Sequence, residues 1–372
     1  MPNQLKQLQK HAGDHLLLLA IAGITLFGWL MLASASSVLA QRYFNDAFYF
    51  VKHQMLYGGL IGFSLFLLGY FVPYRYWRKL AFPAIALALF LLILVFVPGL
   101  QVSSGGASRW IGIGPITLQP SEVAKLAFIL YLAALLEKKG EDVKDFKKSV
   151  IPFLIILAII GTLIMMQPDM GTLLLITLVA ASMIFVAGFK LRHLMIIGLG
   201  SLAVFGLFLN TARYRLERIM VYLHPELDPQ GIGYQINQAL LAVGTGGLWG
   251  LGFGRSRQKY YYLPEPAGDA IFAVIAEEFG LVRSVLVILV FALIGWRGWQ
   301  IARQAPDVFG RLLATGITAW ILLQAFINIG SILAITPLTG IPLPFISYGG
   351  SALATLLFAS GVLLNISQYS RD

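Results

Sequence analysis

Ionisable residues are scarce in this chain, so the few that lie in otherwise apolar surroundings are the first to weigh for chemistry. Glu122 and Lys125 follow Gln119-Pro120-Ser121 at the opening of an apolar run. Pro120 suits a first helical position. The spacing of three puts Glu122 and Lys125 on one helical face. The pair reads either as a first-turn acid complementing the helix dipole beside a snorkelling lysine, or as a functional pair. Arg109 lies upstream in SSGGASRW. Flexible Gly and Ser around an Arg-Trp pair suit a phosphate or sugar-phosphate, whose oxygens a guanidinium matches bidentately. The alternative is a surface arginine beside an interfacial tryptophan. Asp169 follows Gln167-Pro168, where proline ends a helix, so it is a helix N-cap or a site acid. Asp269 closes the segment YYYLPEPAGD, after the basic, Gly-rich stretch GFGRSRQK that carries Arg255, Arg257 and Lys259. It too sits where an N-cap would, but Phe272 stands where a capping box needs Glu or Gln. A lone acid after a basic loop fits an anionic substrate beside a general base. Glu265 in the same segment, and Ser347 in a later Gly- and Pro-rich one, complete the candidate substrate contacts. Gln324, Asn328 and Asn365 read as interhelical hydrogen-bonding groups.

The elements that must carry these residues follow from composition. Of 372 residues, 58% are hydrophobic and 12% charged, against roughly 25% charged in a soluble domain. Too few polar residues remain to cover a soluble surface. The absence of cysteine excludes disulfides and thiolate metal or redox chemistry. The five histidines show no HExxH-type spacing. The formal charge of +10 is read as basic loops facing anionic membrane lipid, with no nucleic-acid partner.

Apolar runs near the length of about 20 residues needed to span a bilayer predict an all-α polytopic membrane protein. The predicted helices cover 16–35, 55–72, 80–97, 121–136, 150–166, 172–188, 195–210, 271–296, 310–335 and 351–367. Residues 1–372 form a single integral membrane domain of about ten transmembrane helices, with both termini cytoplasmic. A large extracytoplasmic segment, about 211–270, joins the seventh and eighth spans. In this topology the inner segments hold 16 Lys and Arg and the outer ones 9. Val38-Leu39-Ala40 imitates a signal-peptidase site, but the apolar run from Leu16 is long enough to span, so cleavage is not expected. Three outer segments, Gln101–Pro120, Thr211–Ala270 and Pro337–Ser351, are rich in Gly and Pro and are expected to be irregular. Irregular backbone at membrane depth must be buried in protein or line a wet cavity, so the chemistry is expected there. No internal repeat stands out, which weakens a transporter reading.

The stretches SASSV, SRWIGIGPITLQPSEVAKLA, QPDMGT, GYQINQALLAVGTGGLWGLGFGRSRQK, LPEPAGDAIFAVIAEEFG and TGIPLPFISYGGSAL run in this order across nearly the whole chain. Together they resemble the SEDS family (shape, elongation, division and sporulation proteins), the bacterial cell-wall glycan polymerases. GRSRQKYYYLPE and PLTGIPLPFISYGGS resemble its division branch more than its elongation branch. The resemblance implies ten helices, an outward cavity, and polymerisation of lipid II (the undecaprenyl-diphosphate-linked disaccharide-pentapeptide) into β-1,4 glycan. The family's essential aspartate falls on Asp269, its outer acid and base on Glu122 and Lys125, and its arginine on Arg109. Ala267-Gly268 stand where the family usually has His-Thr, and Arg283 where a glycine is more usual. The implied location is the bacterial inner membrane, and the implied partners are a class B penicillin-binding transpeptidase and other divisome proteins.

Such a reaction needs a base for the acceptor 4-hydroxyl and positive charge at the leaving diphosphate. Asp269 is the expected base. Arg109, Lys125 and Lys259 are the expected cations, with Glu122 orienting Lys125. Mg²⁺ or another divalent cation is a candidate to share that work, and no organic cofactor is expected. The rival readings are a lipid II flippase, an elongation-type polymerase and a non-catalytic scaffold. The charge asymmetry makes a prediction of its own. A reporter fused after Arg371 should read cytoplasmic and one inserted near Asp228 external. The reverse at either site would mean that a span has been miscounted.

Overall fold

The computed structural model describes residues 11–104, 107–114, 116–140, 151–189 and 230–369, with positions 195, 198, 206, 220–224 and 227–228 between them. The described elements are α1 (His15–Phe44), α2 (Tyr49–Phe71), α3 (Arg75–Leu94), strands β1 (Gln101–Ser104), β2 (Ala107–Ile113) and β3 (Ile116–Leu118), then α4 (Pro120–Lys139), α5 (Ile151–Met166), α6 (Met170–Val186), α7 (Ile232–Gly246), α8 (Ile271–Gln304), α9 (Val308–Ile332) and α10 (Gly350–Ser367). Six of these, α1, α2, α3, α8, α9 and α10, are long and apolar enough to cross a membrane, and α5 and α6 are shorter apolar helices. The chain is a multi-pass membrane protein. The span expected at 195–210 lies, apart from positions 195, 198 and 206, outside the described residues.

Three expectations shift. First, α1 runs without a break through Val38-Leu39-Ala40 to Phe44. Second, the loop expected to be irregular after α3 contains an antiparallel sheet of order β1-β2-β3. Val102 pairs Trp110, and Ile111 pairs Leu118. β-Branched and aromatic residues in these short runs favour the pleated form. Third, the segment before Asp269, expected to be irregular, contains a helix, α7, that hydropathy alone does not single out as a span.

Two packing devices fix the frame. α2 and α10 cross closely because their contact faces are small. A Cβ on Gly69 would come 2.7 Å from the Phe358 carbonyl oxygen, and one on Gly62 would come 3.1 Å from the Ala354 Cα. Small residues let helix backbones approach where no hydrophobic force drives helices together. The second device is a break in α8. Gly280 has φ 74° and ψ 178°, a conformation essentially restricted to glycine. The turn after α7 fills the break. Leu251 and Gly252 donate to the carbonyls of Glu277 and Glu278 at 3.0 and 2.9 Å. Leu281 and Val282 donate to those of Gly247 and Leu248 at 2.8 and 3.3 Å. Arg283, the residue at an unusual position, donates to the Trp249 carbonyl at 3.2 Å and so braces the same turn. A Cβ on Gly280 would lie 2.6 Å from the Leu248 oxygen. Gly280→Ala should therefore lower stability by on the order of 1–3 kcal/mol, read as a fall in thermal midpoint in detergent. A midpoint equal to wild type would show that the break is not under this constraint.

Candidate active site

Asp269 stands one residue before the N-cap of α8. That cap is Ala270, which makes no side-chain capping bond. Asp269 is therefore not the N-cap of α8, and its carboxyl is half-buried. What holds it in place is main chain. Three successive carbonyls accept hydrogen bonds from distant parts of the sequence. Tyr348 N–H donates to Ala267 at 2.9 Å. Ser347 Oγ donates to Gly268 at 2.7 Å, and Asn328 Nδ2 to Asp269 itself at 2.8 Å. Ser347, expected as a substrate contact, is thus a clamp on the segment that carries Asp269. Its Oγ also accepts from the Leu343 N–H at 2.8 Å. Gly340 lies opposite the carboxylate, where an added Cβ would come 3.9 Å from Asp269 Oδ2.

One turn of α9 connects this clamp to the expected pair. Asn328 Nδ2 also donates to Ile341 O at 2.8 Å, and Gln324 Nε2 donates to Pro342 O at 2.9 Å. Gln324 Oε1 accepts from Lys125 Nζ at 2.9 Å and from Trp320 Nε1 at 2.7 Å. Lys125 Nζ pairs with Glu122 Oε1 at 2.8 Å and lies 5.1 Å from the Trp320 ring centroid. Glu122 and Lys125 are 1% and 2% exposed, so the pair sits inside the protein and not on a substrate-lined surface. Gln324 and Asn328, read from sequence as ordinary interhelical bonds, are the link between the pair and the Asp269 clamp.

The other cations divide by partner. Arg109 on β2 reaches the turn between α5 and α6. Its Nε donates to Gln167 O at 3.1 Å and its Nη2 to Pro168 O. Both acceptors are neutral, and among the described residues no carboxylate pairs with it. Lys259 is buried and spent. Its Nζ pairs with Glu278 Oε1 at 3.0 Å and donates to Ser34 Oγ at 2.9 Å and Gly254 O at 2.7 Å. Glu277 and Glu278, both fully buried, draw in the basic loop. Glu278 accepts from Gly254 N and Ser256 N, and Glu277 from Arg257 N, Gln258 N and Ser256 Oγ. Peptide N–H groups of the basic loop that sequence read as facing an anionic substrate are occupied by the protein's own carboxylates. The side chains of Arg255 and Arg257 remain exposed.

Asp169 is the N-cap of α6, accepting from Thr172 N at 3.1 Å and Thr172 Oγ1 at 2.8 Å. Gln119 takes the N-cap position of α4 without a side-chain cap, and its N–H donates to Ser351 Oγ at 3.2 Å. Glu265 is exposed, and its carbonyl accepts from Gly268 N at 3.0 Å, closing the turn before Asp269. Two further residues escaped the sequence reading. Gln54, 1% exposed, opens a π-helical stretch of α2 (Gln54–Leu60); it accepts from Gly349 N at 3.0 Å and donates to Ser347 O at 3.4 Å. Gln167, also 1% exposed, donates from Nε2 to Leu92 O at 3.0 Å. The available signal was a lone amide beside an apolar run, where a polar group is costly unless used.

Long apolar helices, with an acid clamped by its main chain at the start of one of them and an ion pair buried between two others, define a class: polytopic membrane proteins. Comparison narrows it. A family model described as cell cycle protein, covering FtsW, RodA and SpoVE, matches residues 14–372. The chain belongs to this family. It is 43% identical over 363 residues to stage V sporulation protein E of Bacillus subtilis, covering 98% of this chain and 99% of that one. It is 40% identical to a probable peptidoglycan glycosyltransferase FtsW of Geobacter sulfurreducens, covering 98% and 96%. Among solved structures it is similar to a chain from a study of how a peptidoglycan synthase complex coordinates polymerization and crosslinking (TM-score 0.78, 29% identity, 96% and 98% covered). It is also similar to the rod shape determining protein RodA of Thermus thermophilus (TM-score 0.70, 27% identity, 100% of both).

The buried pair carries a prediction. Lys125→Met leaves Glu122 charged and buried, and its Oε2 already lacks a hydrogen-bond partner among the described residues. Breaking a buried pair in this way costs on the order of 3–5 kcal/mol. The thermal midpoint should fall sharply, and the double variant Glu122→Gln/Lys125→Met should recover much of it. If Lys125→Met keeps the wild-type midpoint but loses activity, the lysine acts on substrate and not on the fold.

Proposed function

We infer that this protein is a membrane-embedded peptidoglycan glycosyltransferase that polymerises lipid II into β-1,4 glycan strands, and that it serves cell division. The observation that carries the reading is Asp269. It is an outer-face acid that caps no helix, and its main chain is fixed from α9 and the segment before α10. The names of the relatives point the same way, to peptidoglycan glycosyltransferases and a sporulation protein. We propose ten spans with both termini cytoplasmic. Beyond the six long apolar helices these comprise α4, α5, α6 and the stretch 195–210, with α7 in the extracytoplasmic segment.

In this mechanism the Asp269 carboxylate takes the proton of the acceptor sugar's 4-hydroxyl. The freed oxygen pair attacks the donor's anomeric carbon, and the bond to the lipid diphosphate breaks with its electron pair leaving on the diphosphate. A single displacement turns the α-linked donor into a β-linked product with no covalent enzyme intermediate. Of the three expected cations, Arg109 is the best suited to the leaving group. Its partners are neutral carbonyls, whereas Lys125 and Lys259 are each neutralised by a glutamate. The Glu122–Lys125 pair then positions α4 against α9 under the Asp269 clamp. Among the described residues no group of three His, Asp or Glu could cage a metal ion. Mg²⁺ typically binds through one or two carboxylates plus substrate phosphates. A divalent cation would therefore be held chiefly by the diphosphate. A class B penicillin-binding transpeptidase is the proposed crosslinking partner, in keeping with the polymerization-and-crosslinking complex that contains a similar chain.

The decisive assay is purified protein with lipid II in detergent, where no membrane sidedness exists. Wild type should build glycan, whereas a flippase or scaffold would build none. Asp269→Asn should cut initial rate by about 10²–10⁴-fold, the usual contribution of a general base, at an unchanged thermal midpoint. Substantial polymer from Asp269→Ala would remove the base from this mechanism.

A further inference from the structure

The α8–α9 end of the bundle holds a feature that the polymerase reading does not use. A cavity of about 260 Å³ opens between α6, α8 and α9. Val186, Ala319 and Leu322 give it apolar walls, and Arg303, Arg311 and Thr318 supply its polar groups. Those polar groups are under-used. Arg311 Nε and Thr318 Oγ1 are buried and have no hydrogen-bond partner among the described residues. A buried donor or hydroxyl left unpaired is costly, so such atoms point to something that answers them.

Charge makes the same point. Asp307, the acid between the two arginines, is already taken by Tyr74 Oη at 2.6 Å, Arg75 Nε at 3.2 Å and Gly310 N at 2.7 Å. Arg297, six residues before Arg303 on α8, pairs with Asp14. Arg303 and Arg311 have no ion-pair partner among the described residues, and Arg303 only lies over the Trp299 ring at 4.7 Å. Among the described residues, therefore, the charge that lines the cavity is positive. Its two arginines lie in the last turn of α8 and the first turn of α9, beside the last residue of α6, and its lining extends inward to Gly295 and Leu322. Helix ends mark the boundary between bilayer and water, and Trp296 and Trp299, 49% and 53% exposed, mark the same level. The apolar wall continues from there along spanning helices. A free inorganic anion would have no use for that wall.

We propose that this cavity binds an anionic glycerophospholipid. Its phosphate is held by Arg303 and Arg311 and within reach of Thr318, and the start of an acyl chain lies against Val186, Ala319 and Leu322. Basic pockets between transmembrane helices suit anionic headgroups in this way. The site is separate from Asp269, and the proposal depends neither on the polymerase reading nor on which leaflet this end faces.

The test uses the delipidated full chain in detergent, with dioleoyl phosphatidylglycerol, dioleoyl phosphatidylcholine and inorganic phosphate as separate probes. Bound lipid is counted by native mass spectrometry and its effect followed as thermal midpoint. One phosphatidylglycerol per chain should bind and raise the midpoint, while the other two probes leave it unchanged. Arg303→Gln/Arg311→Gln should weaken that binding about thirtyfold, equivalent to ~1 kcal/mol per arginine near an anionic surface. Ala319→Phe, which fills the cavity and leaves both charges, should block it; the exposed single change Arg303→Gln serves if the double variant does not fold. Equal binding of phosphatidylcholine would reduce the cavity to an apolar groove, and a midpoint rise with phosphate alone would make it a simple anion site. Loss in the arginine variants with full binding to Ala319→Phe would put the lipid on the outer surface. Each of these three results overturns the proposal.

Discussion

A peptide group inside a bilayer has no water to bond, so every departure from helix must bring its own partners. The site depends on this constraint. α8 can break at Gly280 because the turn after α7 lies in the gap and trades four main-chain bonds across it. The segment before α10 can run without regular structure because Asn328, Gln324 and Gln54 meet its carbonyls and N–H groups from α9 and α2. Side-chain amides serve here as surrogate backbone. Gln and Asn suit the role because each offers donors and an acceptor without bringing a charge that itself needs burial.

Charge is handled by the same economy. Glu277 and Glu278 are buried two turns into α8, and among the described residues only Glu278 has a cation. The rest of their capacity is met by N–H groups of the loop 254–258 and by Ser34 and Ser256. Oriented amides can stabilise a carboxylate as well as a counter-ion can. These two acids therefore anchor the loop that leads to Asp269, and α1 joins the same knot through Ser34. The SASSV, GRSRQK and EEFG stretches, which look unrelated along the chain, meet in one hydrogen-bonded cluster.

The membrane class and most helix positions were legible in the sequence because hydropathy reports them directly. Helix ends were less so: α1 continues to Phe44 through polar residues that a hydropathy window trims. The sheet around Arg109 was missed because its Gly and Ser content masked the alternation of Val102, Trp110, Ile111 and Leu118. At the site, spacing identified Glu122 with Lys125 and set Asp269 apart, but it could not say who faces whom. The same local pattern, an acid just before a helix, gives a true N-cap at Asp169 and a non-capping acid at Asp269. A one-residue offset separates them: Asp169 occupies the N-cap of α6, whereas the N-cap of α8 is Ala270. Lys259 likewise sits in a basic run that suggests an anion site, yet its partner Glu278 comes from the following helix, and no local pattern shows that bond.

The clamp on Asp269 also bears on how this segment can change through descent. All three bonds that hold residues 267–269 land on carbonyl oxygens, which every amino acid possesses. The side chains at 267 and 268 are thus not the fastening. A lineage can exchange a His-Thr for an Ala-Gly at these two positions and keep the acid in register, provided Ser347, Asn328 and the Tyr348 amide stay in place. On this geometry an inherited exchange beside the acid disturbs its fastening less than one at Asn328 or Ser347, some sixty to eighty positions downstream.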